Sequence, residues 1–267
     1  MKNYLNFKMR KVNSYDVLGS VAVVRFPLDF KKTEKKKFAE KLLKEHKAIK
    51  TVLEKQGKIK GRLRKIQTNY LAGEKTKEVL YRENNCVFRF HIDKTYFSPR
   101  LSNERKEIAK QIKKGDEVLV MFAGVAPLPI VIAKNSKAKK VVSNEINREA
   151  NKYAKLNIEL NKVKDRVELL PGDIKRVAEK LNKKFDVIAM PRPQLKETFL
   201  KQAFKLSKKA TRIFYYDFCA VTEKDSIVEK IKQEAKENKK KIKILQVKSA
   251  GEIAPYKIRL RVDFRVV

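Results

Sequence analysis

Cysteine and histidine are scarce, and their spacing argues against the sites that they usually build. Only Cys86 and Cys219 occur in 267 residues, and no CxxC pair is present. A disulfide framework or a cysteine-based zinc site is therefore not expected. The two histidines, His46 and His91, are isolated in the sequence, and an isolated histidine is more often structural than a metal ligand. We expect a protein without a metal site.

Long apolar runs are also missing. No segment approaches the roughly 18 consecutive apolar residues that a membrane-spanning helix needs. The first residues, MKNYLNFKMRK, lack the apolar stretch of a signal peptide. These absences predict a soluble, cytoplasmic protein that does not enter a membrane, and we expect it to act as a monomer.

Acidic residues are few relative to basic ones. The chain has 66 lysines and arginines against 31 aspartates and glutamates, a net charge of +35. Such an excess strains a compact fold by self-repulsion unless a polyanion neutralises it. Thermophile surfaces are also rich in lysine, but there glutamate rises with lysine. Nucleic acid is therefore the favoured partner, ahead of an anionic membrane.

The helix and strand patterns predict a small α+β domain that binds RNA or substrate at residues 1–80. Its elements are a strand at 20–26, a helix at 33–46 and strands at 51–53 and 70–72, with an exposed loop at 54–64. A connecting hairpin follows at residues 81–94. Its alternating pattern runs from Val79 to Ile92, and Asn84-Asn85 is the expected turn.

Beyond Pro99, helices and short apolar strands alternate, which indicates a catalytic domain at residues 95–267. Such alternation predicts an α/β, Rossmann-like fold with a doubly wound, mostly parallel sheet and an antiparallel C-terminal strand. Its ligand crevice should lie at the carboxyl ends of the first strands. The expected strands are at 117–122, 140–143, 167–170, 185–190, 212–217, 242–248 and 256–266, with helices at 103–113, 128–134, 148–161, 174–181, 196–206 and 226–237.

Three positions in this domain suggest a nucleoside-containing cofactor. A small-residue turn follows the first strand and contains Phe122, Ala123 and Gly124. Glu145 ends the second strand and could accept the ribose hydroxyls, and Asp173 follows the third strand and could meet the adenine amino group. An aspartate after a strand is also a common helix cap. This order is typical of class I methyltransferases, and the absence of a phosphate-binding motif favours S-adenosylmethionine.

The chain resembles the archaeal and eukaryotic tRNA (guanine-37 N1)-methyltransferases and their relatives that build wyosine at the same position. The segment Tyr96-Phe-Ser-Pro-Arg-Leu-x-x-Glu104 is the most specific of the matching pieces. The others are Tyr15-Asp-Val-Leu-Gly-Ser20, Gly57-Lys-Ile-Lys-Gly-Arg-Leu-Arg64, Leu71-Ala-Gly73, Tyr81-Arg-Glu-Asn-Asn85, Met121-Phe-Ala-Gly-Val125, Leu156-Asn-Ile-x-Leu-Asn-Lys-Val163, Tyr215-Tyr216 and Ala254-Pro-Tyr256.

The resemblance implies tRNA as the partner and a role for several residues. Glu104 would be the general base that removes the guanine N1 proton, and Arg64 would stabilise charge on the guanine carbonyl oxygen. Arg100 would position the nucleotide, and Tyr96 would contact the cofactor or stack near the site. Glu104 could instead interact with the helix dipole, and Arg64 could be a solvated loop charge or a phosphate contact.

The chain departs from the family pattern at several positions. Val120 replaces an acid, and Ala126 replaces a second glycine, which argues against a left-handed backbone there. The family's Asn-Leu-Pro is replaced by Pro191-Arg192-Pro193, preceded by Met190, which is expected at the cofactor. Arg192 and Pro193 are expected at the substrate. No segment matches the family's extra N-terminal domain, and we expect the chain to begin directly at the second.

Three hypotheses follow. The favoured one is methyl transfer from S-adenosylmethionine to N1 of guanine 37 in tRNA. The second is a wyosine-pathway transfer at the same position, of an aminocarboxypropyl group or of a methyl group to the wyosine base, because Pro191 stands where the methyltransferases have asparagine. The third is a non-catalytic RNA-binding protein.

Overall fold

The computed structural model describes residues 15–60, 63, 65–191 and 197–267, without the side chains of residues 58–60 and 65. Arg64, Arg192 and Pro193 lie outside the described residues, so their expected roles stay predictions. Within the described ranges, no helix is both long and apolar enough to cross a membrane.

The N-terminal part is a four-stranded sheet with one helix. Its elements are β1 (Tyr15–Leu18), β2 (Val21–Val24), α1 (Lys32–Glu45), β3 (Thr51–Lys60) and β4 (Lys65–Gly73), and the strands lie in sequence order. β2 and β3 are parallel, with α1 as the crossover between them. Every residue of β2 is buried, because one face packs on α1 and the other on the rest of the protein.

The prediction of an exposed loop at residues 54–64 is wrong for most of that stretch. β3 continues to Lys60 and pairs with β4, which begins at Lys65. The polar composition of this stretch suggests a loop, but pairing satisfies the backbone groups whatever the side chains are. A register shift between Gln56 and Lys60 accompanies the positive φ of Gly57.

A two-stranded hairpin lies between the two sheets along the chain. β5 (Glu78–Glu83) pairs antiparallel with β6 (Cys86–His91). Asn84 and Asn85 have φ angles of 47° and 60°, as a two-residue primed turn requires. Gly19 of the small sheet lies against the hairpin, and a Cβ there would be 2.2 Å from the carbonyl oxygen of Leu80.

The C-terminal part is a seven-stranded sheet in the order β12-β13-β11-β10-β7-β8-β9. β13 is antiparallel to β11 and β12, and the other neighbours pair in parallel, so the predicted fold class is confirmed. The elements are α2 (Ser102–Gln111), β7 (Glu117–Val120), α3 (Pro127–Asn135), β8 (Lys140–Glu145), α4 (Arg148–Leu160), β9 (Val167–Pro171), α5 (Ile174–Lys180), β10 (Phe185–Met190), α6 (Leu200–Lys205), β11 (Ser207–Ala220), α7 (Lys224–Glu237), β12 (Ile242–Ala254) and β13 (Lys257–Val266).

The strand order reverses at β7, which places a crevice at its carboxyl end. β8 and β9 lie on one side of β7, and β10 and β11 lie on the other. The hairpin and the helices α2, α3 and α4 pack on one face of this sheet, whereas α5, α6 and α7 pack on the other. The crevice is thus bordered by the ends of β7, β8 and β10 and by the segment that leads into α2.

Candidate active site

The turn after β7 has an unusual backbone. Phe122, Gly124 and Ala126 have φ angles of 59°, 59° and 63°. The prediction that Ala126 avoids the left-handed region is therefore wrong. Ala126 is fully buried, its amide donates to the carbonyl of Ala123 at 3.0 Å, and its own carbonyl accepts from Ile130 at 3.1 Å. These bonds hold a conformation that costs on the order of 1 kcal/mol or more for a residue with a side chain.

The segment that precedes α2 crosses directly over this turn. A Cβ on Gly124 would lie 3.3 Å from the carbonyl oxygen of Tyr96. The two backbones approach closely because residue 124 has no side chain, and its positive φ also favours glycine. The turn and the Tyr96 segment therefore form two walls of one narrow space.

Glu145 ties the end of β8 to the same turn. One carboxylate oxygen accepts from the Gly124 amide at 2.8 Å, and the other accepts from the Asn147 amide at 2.7 Å. Burial raises the pKa of Glu145, while backbone hydrogen bonds oppose that shift. The carboxylate thus lies at the carboxyl end of β8, beside the glycine turn, where the sequence predicts it.

Asn144 is a buried hub that the sequence pattern does not single out. Its carbonyl accepts from the Ala123 amide at 2.9 Å. Its side-chain amide donates to the carbonyls of Leu170 at 2.8 Å and Gly172 at 3.1 Å. It therefore joins the turns that follow β7 and β9. The sequence does hold one sign of this role: Asn144 is a polar residue at the end of an apolar strand. A buried side-chain amide nearly always has hydrogen-bond partners.

The contacts of Asp173 and Met190 are structural, and their expected roles at the cofactor stay predictions. Asp173 caps α5, where its carboxylate accepts from the Lys175 amide at 3.1 Å. It also lines a cavity of about 520 Å³ together with Ile146 and Arg176. Met190 ends β10, is fully buried and belongs to the core cluster on the α5–α7 face.

A smaller cavity of about 80 Å³ brings five of the predicted site residues together. They are Tyr96, Glu104, Phe122, Ala123 and Gly124. Residues from the end of β10 and from the strands β11 and β13 complete the wall, among them Pro191, Tyr216 and Arg259. The Tyr96–Glu104 segment and the turn at residues 122–124 therefore line one space.

Glu104 lies in the first turn of α2 with 9% of its surface exposed. One oxygen, Oε2, accepts from the Tyr216 hydroxyl at 2.9 Å and from Nη1 of Arg261 at 2.8 Å. Burial and the charge of Glu104 raise the pKa of Tyr216 well above its usual value, so this hydroxyl stays a donor. A helix-dipole interaction fits the position of Glu104 but does not account for these tertiary contacts.

Arg105, which the sequence pattern also leaves unmarked, holds the Tyr96 segment in place. Its buried guanidinium donates to both oxygens of Glu83 at 2.5 and 2.6 Å, and to the carbonyl of Ser98 at 2.9 Å. The hairpin, the segment and α2 are thereby joined by one side chain. The sequence does not show that Arg105 and Glu83 pair, because the pairing of two buried charges becomes visible only when the fold brings their elements together.

Arg100 lies at the mouth of a larger cavity. It is exposed and pairs with Asp16 of β1 at 2.8 Å. The cavity has a volume of about 490 Å³ and is lined by both sheets, with Tyr96, Arg25, Lys55 and Arg259 among its residues. Arg100 therefore lies beside the larger cavity, and its expected role in positioning the nucleotide stays a prediction.

The two asparagines of the Leu156–Val163 motif bind the edge of the hairpin. Asn157 accepts from the Arg89 amide at 2.7 Å and donates to the carbonyls of Arg89 at 3.1 Å and Val125 at 3.0 Å. Asn161 makes the same two-way contact with Val87. The motif thus connects α4 with both the hairpin and the turn that follows β7. Among the residues described, no cluster of three or more potential metal ligands is found.

Comparison with known proteins agrees with the geometry. The TRM5/TYW2 methyltransferase domain matches residues 79–245, and the TYW2 N-terminal domain matches residues 3–76. A tRNA (guanine(37)-N(1))/4-demethylwyosine(37)-methyltransferase, Taw22 of Nanoarchaeum equitans, is 33% identical over 306 residues, covering 95% of this chain and 100% of that protein.

Two solved structures show the same similarity in three dimensions. The Pyrococcus abyssi Trm5b crystal structure has a TM-score of 0.85 at 32% identity, over 96% of this chain and 75% of that one. The P. horikoshii TYW2 structure in complex with MeSAdo has a TM-score of 0.80 at 25% identity, over 95% and 90%. The predicted resemblance is confirmed: the chain belongs to the TRM5/TYW2 methyltransferase family.

Proposed function

We propose that this chain transfers a methyl group from S-adenosylmethionine to N1 of guanine 37 in tRNA. The observation that carries the proposal is the cavity in which the Glu104 carboxylate faces the turn of Phe122, Ala123 and Gly124. A base beside a cofactor turn is what methylation of a protonated ring nitrogen requires. The name of the Taw22 relative supports both the tRNA substrate and the position.

The residues at the carboxyl end of the sheet fit S-adenosylmethionine. The turn at Gly124 carries no side chain at its closest approach to Tyr96, and Glu145 supplies a carboxylate beside it. Glu145 would bind the ribose hydroxyls, and Asp173 would bind the adenine amino group. When bound, this cofactor supplies an electrophilic methyl group on a sulfonium.

Glu104 performs the proton transfer in this proposal. Methylation forms a bond at N1, and the proton on N1 must leave for the product to be neutral. The carboxylate of Glu104 can accept it, since Oε2 is oriented by Tyr216 and Arg261 while Oε1 remains 3.4 Å from Lys248. Arg64, carried over from the resemblance, would stabilise charge on the guanine carbonyl oxygen.

The basic residues around the larger cavity support binding of an RNA backbone. Arg25, Lys55, Arg100 and Arg259 line it, and the whole chain has a net charge of +35. Phosphate contacts by such residues release counterions, so tRNA affinity should fall steeply with salt. The cavity adjoins the Glu104 site through Tyr96, which lines both.

Product analysis tests the proposal. The protein is incubated with S-adenosylmethionine and an unmodified tRNA that carries guanine at position 37, and digested nucleosides are analysed by mass spectrometry. We expect 1-methylguanosine in the tRNA and S-adenosylhomocysteine in solution. Methylthioadenosine together with an aminocarboxypropyl nucleoside would contradict methyl transfer.

A second candidate is methylation of the wyosine precursor at the same position. The Taw22 relative, matched over its full length, is named for both guanine and 4-demethylwyosine. Pro191, which lines the small cavity, stands where the guanine methyltransferases are expected to have asparagine. The same assay with tRNA that contains 4-demethylwyosine separates the candidates, because only the second predicts a methylated tricyclic base.

A further inference from the structure

A buried cluster of charged side chains lies beneath Glu104, on the strand β13. Alternate residues of this strand are apolar and belong to the core cluster on the α5–α7 face: Ile258, Leu260, Val262, Phe264 and Val266. The residues between them are charged, which is typical of a strand with one face in water. Arg261 and Asp263 are nevertheless 0% and 4% exposed. The side chain of Arg261 contacts Glu104 and Glu107 of α2, which lies on that face, and Gln246 of the neighbouring strand β12.

Arg261 binds three carboxylates from this position. Nη1 donates to Oε2 of Glu104 at 2.8 Å, and Nη2 donates to Oε1 of Glu107 at 2.7 Å. Nε and Nη2 donate to the two oxygens of Asp263 at 2.8 and 3.0 Å. The planar guanidinium is suited to such fixed, forked contacts, and each bond to a charged partner is stronger than a neutral one.

The other groups that face Glu104 come from β11 and β12. Tyr216 donates its hydroxyl to Oε2 of Glu104, and Lys248 lies 3.4 Å from Oε1 and 2.5 Å from Glu107. Arg105 and Arg259 line the same cavity. Burial opposes the charge on Arg261, but Tyr216 and the neighbouring acids hold its pKa above the usual value.

We propose that Arg261 is a positioning residue for the proton transfer: by binding Oε2 of Glu104, it directs Oε1 toward the N1 proton of the guanine. The inference rests on the proposed function and on Glu104 as the base. The bonds from Arg261 and Tyr216 both fall on Oε2, whereas the ammonium group of Lys248 lies at a longer 3.4 Å from Oε1, so Oε1 is the oxygen that can turn to the N1 proton.

The charge balance of the cluster agrees with this role. Glu104, Glu107 and Asp263 share the two cations Arg261 and Lys248, so the cluster carries one excess negative charge. When the N–H bond of guanine N1 breaks, its proton passes to Glu104 and its electron pair forms the bond to the methyl carbon. The bond from that carbon to the sulfonium sulfur breaks at the same time, and its electron pair stays on sulfur in S-adenosylhomocysteine. The cluster then becomes neutral, which a buried site tolerates better than a net charge.

Single-turnover methylation of tRNA by Arg261→Met and Arg261→Lys tests the proposal, with the rate measured over a range of tRNA concentrations. We expect Arg261→Met to lose roughly tenfold to a hundredfold in rate, since small displacements of a catalytic group have effects of this size. The tRNA concentration that gives the half-maximal rate should stay near the wild-type value, because the substitution displaces the proton acceptor and not the groups that bind RNA. Arg261→Lys should partly restore the rate, because its ammonium group can still donate to Glu104.

Two further variants separate positioning from folding. The double variant Arg261→Met with Asp263→Asn removes one cation and one anion, so it keeps the net charge of the cluster and should fold even if the single variant does not. The double variant should remain slow, with an unchanged tRNA concentration for the half-maximal rate. Arg212→Met is the matched control, because Arg212 on β11 also binds a carboxylate, Asp116 at 2.5 Å, and is not in contact with Glu104. It should keep the wild-type rate.

The outcomes distinguish a failure of this inference from a failure of the proposed function or of Glu104 as the base. Wild-type protein that makes no methylated tRNA overturns the proposed function and this inference with it. A full rate in Glu104→Gln overturns the assignment of the base. If both behave as expected but the folded double variant keeps the wild-type rate, the role of Arg261 is purely structural and the inference is wrong.

Discussion

The two sides of the small cavity are built in different ways. On the turn side, residues 121–127 and Glu145 are held by hydrogen bonds to main-chain atoms of neighbouring segments. On the acid side, Glu104 is held by side chains of β11, β12 and β13. A charge network depends on each of its members, whereas a backbone scaffold depends mainly on chain geometry. Substitutions on the acid side should therefore change the rate, and those on the turn side should change stability and cofactor affinity.

The largest effect is expected on the acid side, for Glu104→Gln. Glutamine can keep contacts with Tyr216 and Arg261, but its amide cannot accept the N1 proton. We expect the single-turnover rate of tRNA methylation to fall roughly a hundredfold to ten-thousandfold, the usual contribution of a general base. The affinity for S-adenosylmethionine, measured by calorimetry, should stay unchanged.

Glu107→Gln is the matched control for this prediction. Glu107 shares Arg261 and Lys248 with Glu104, but it is not among the residues that line the small cavity. Its loss should have a much smaller effect on the rate. Equal losses in the two variants would mean that the cluster acts only through charge, and that Glu104 has no particular part in the proton transfer.

The turn side could be predicted from the sequence, because its residues are close together in the chain. The strand–turn–helix pattern places Phe122, Ala123 and Gly124 at the end of β7, and Glu145 ends the next strand. The family and the fold class could be predicted for the same reason, because each depends on local patterns that recur in order along the chain. Both predictions are confirmed. The left-handed backbone of Ala126 was not predictable, because it is held by bonds and burial that local preferences do not describe.

The acid side could be predicted only in part. Glu104 follows from the resemblance, but its partners Tyr216 and Arg261 lie 112 and 157 residues further along the chain. The charged face of β13 suggests solvent, and only the packing of α2 shows that Arg261 is buried. Similarly, the polar stretch at residues 54–64 suggests a loop until β4 is seen to pair with it. Long-range contacts override local composition in each case.

An intermediate effect is expected for Asn157→Leu on the turn side. Leucine fills a similar volume but leaves the amide and carbonyl of Arg89 and the carbonyl of Val125 without this partner. Because buried backbone groups without partners are costly, we expect the free energy of unfolding to fall by roughly 3 kcal/mol. Urea denaturation measures this change, and the pH–rate profile should keep its shape.

Asn238→Leu provides the comparison for that measurement. Asn238 also donates its side-chain amide to a backbone carbonyl, that of Glu234 at 2.8 Å, but it is half-buried, at the C-terminal cap of α7. Its substitution should lower the free energy of unfolding by less than about 1 kcal/mol. A similar loss in both variants would show that the α4–hairpin contact is not a special anchor of the cofactor turn.

The smallest effect is expected for Glu145→Gln, and it is seen best through its pH dependence. The carboxylate accepts from Gly124 and Asn147, whereas a glutamine amide can accept from only one of them while its NH₂ group faces the other. We expect the affinity for S-adenosylmethionine to fall about tenfold, in the range of a hydrogen bond to a charged group.

The sign of the pH effect follows from burial, which raises the pKa of Glu145. Below that pKa the carboxyl is protonated and loses acceptor capacity, so wild-type affinity should decline at a higher pH than an ordinary glutamate would cause. Glu145→Gln cannot titrate and should lack this decline, whereas the exposed Glu168→Gln on the neighbouring strand β9 should retain it. If Glu145→Gln showed the same decline as wild type in calorimetric titrations, Glu145 would not be the titrating ligand. The turn side would then hold its cofactor through backbone groups alone.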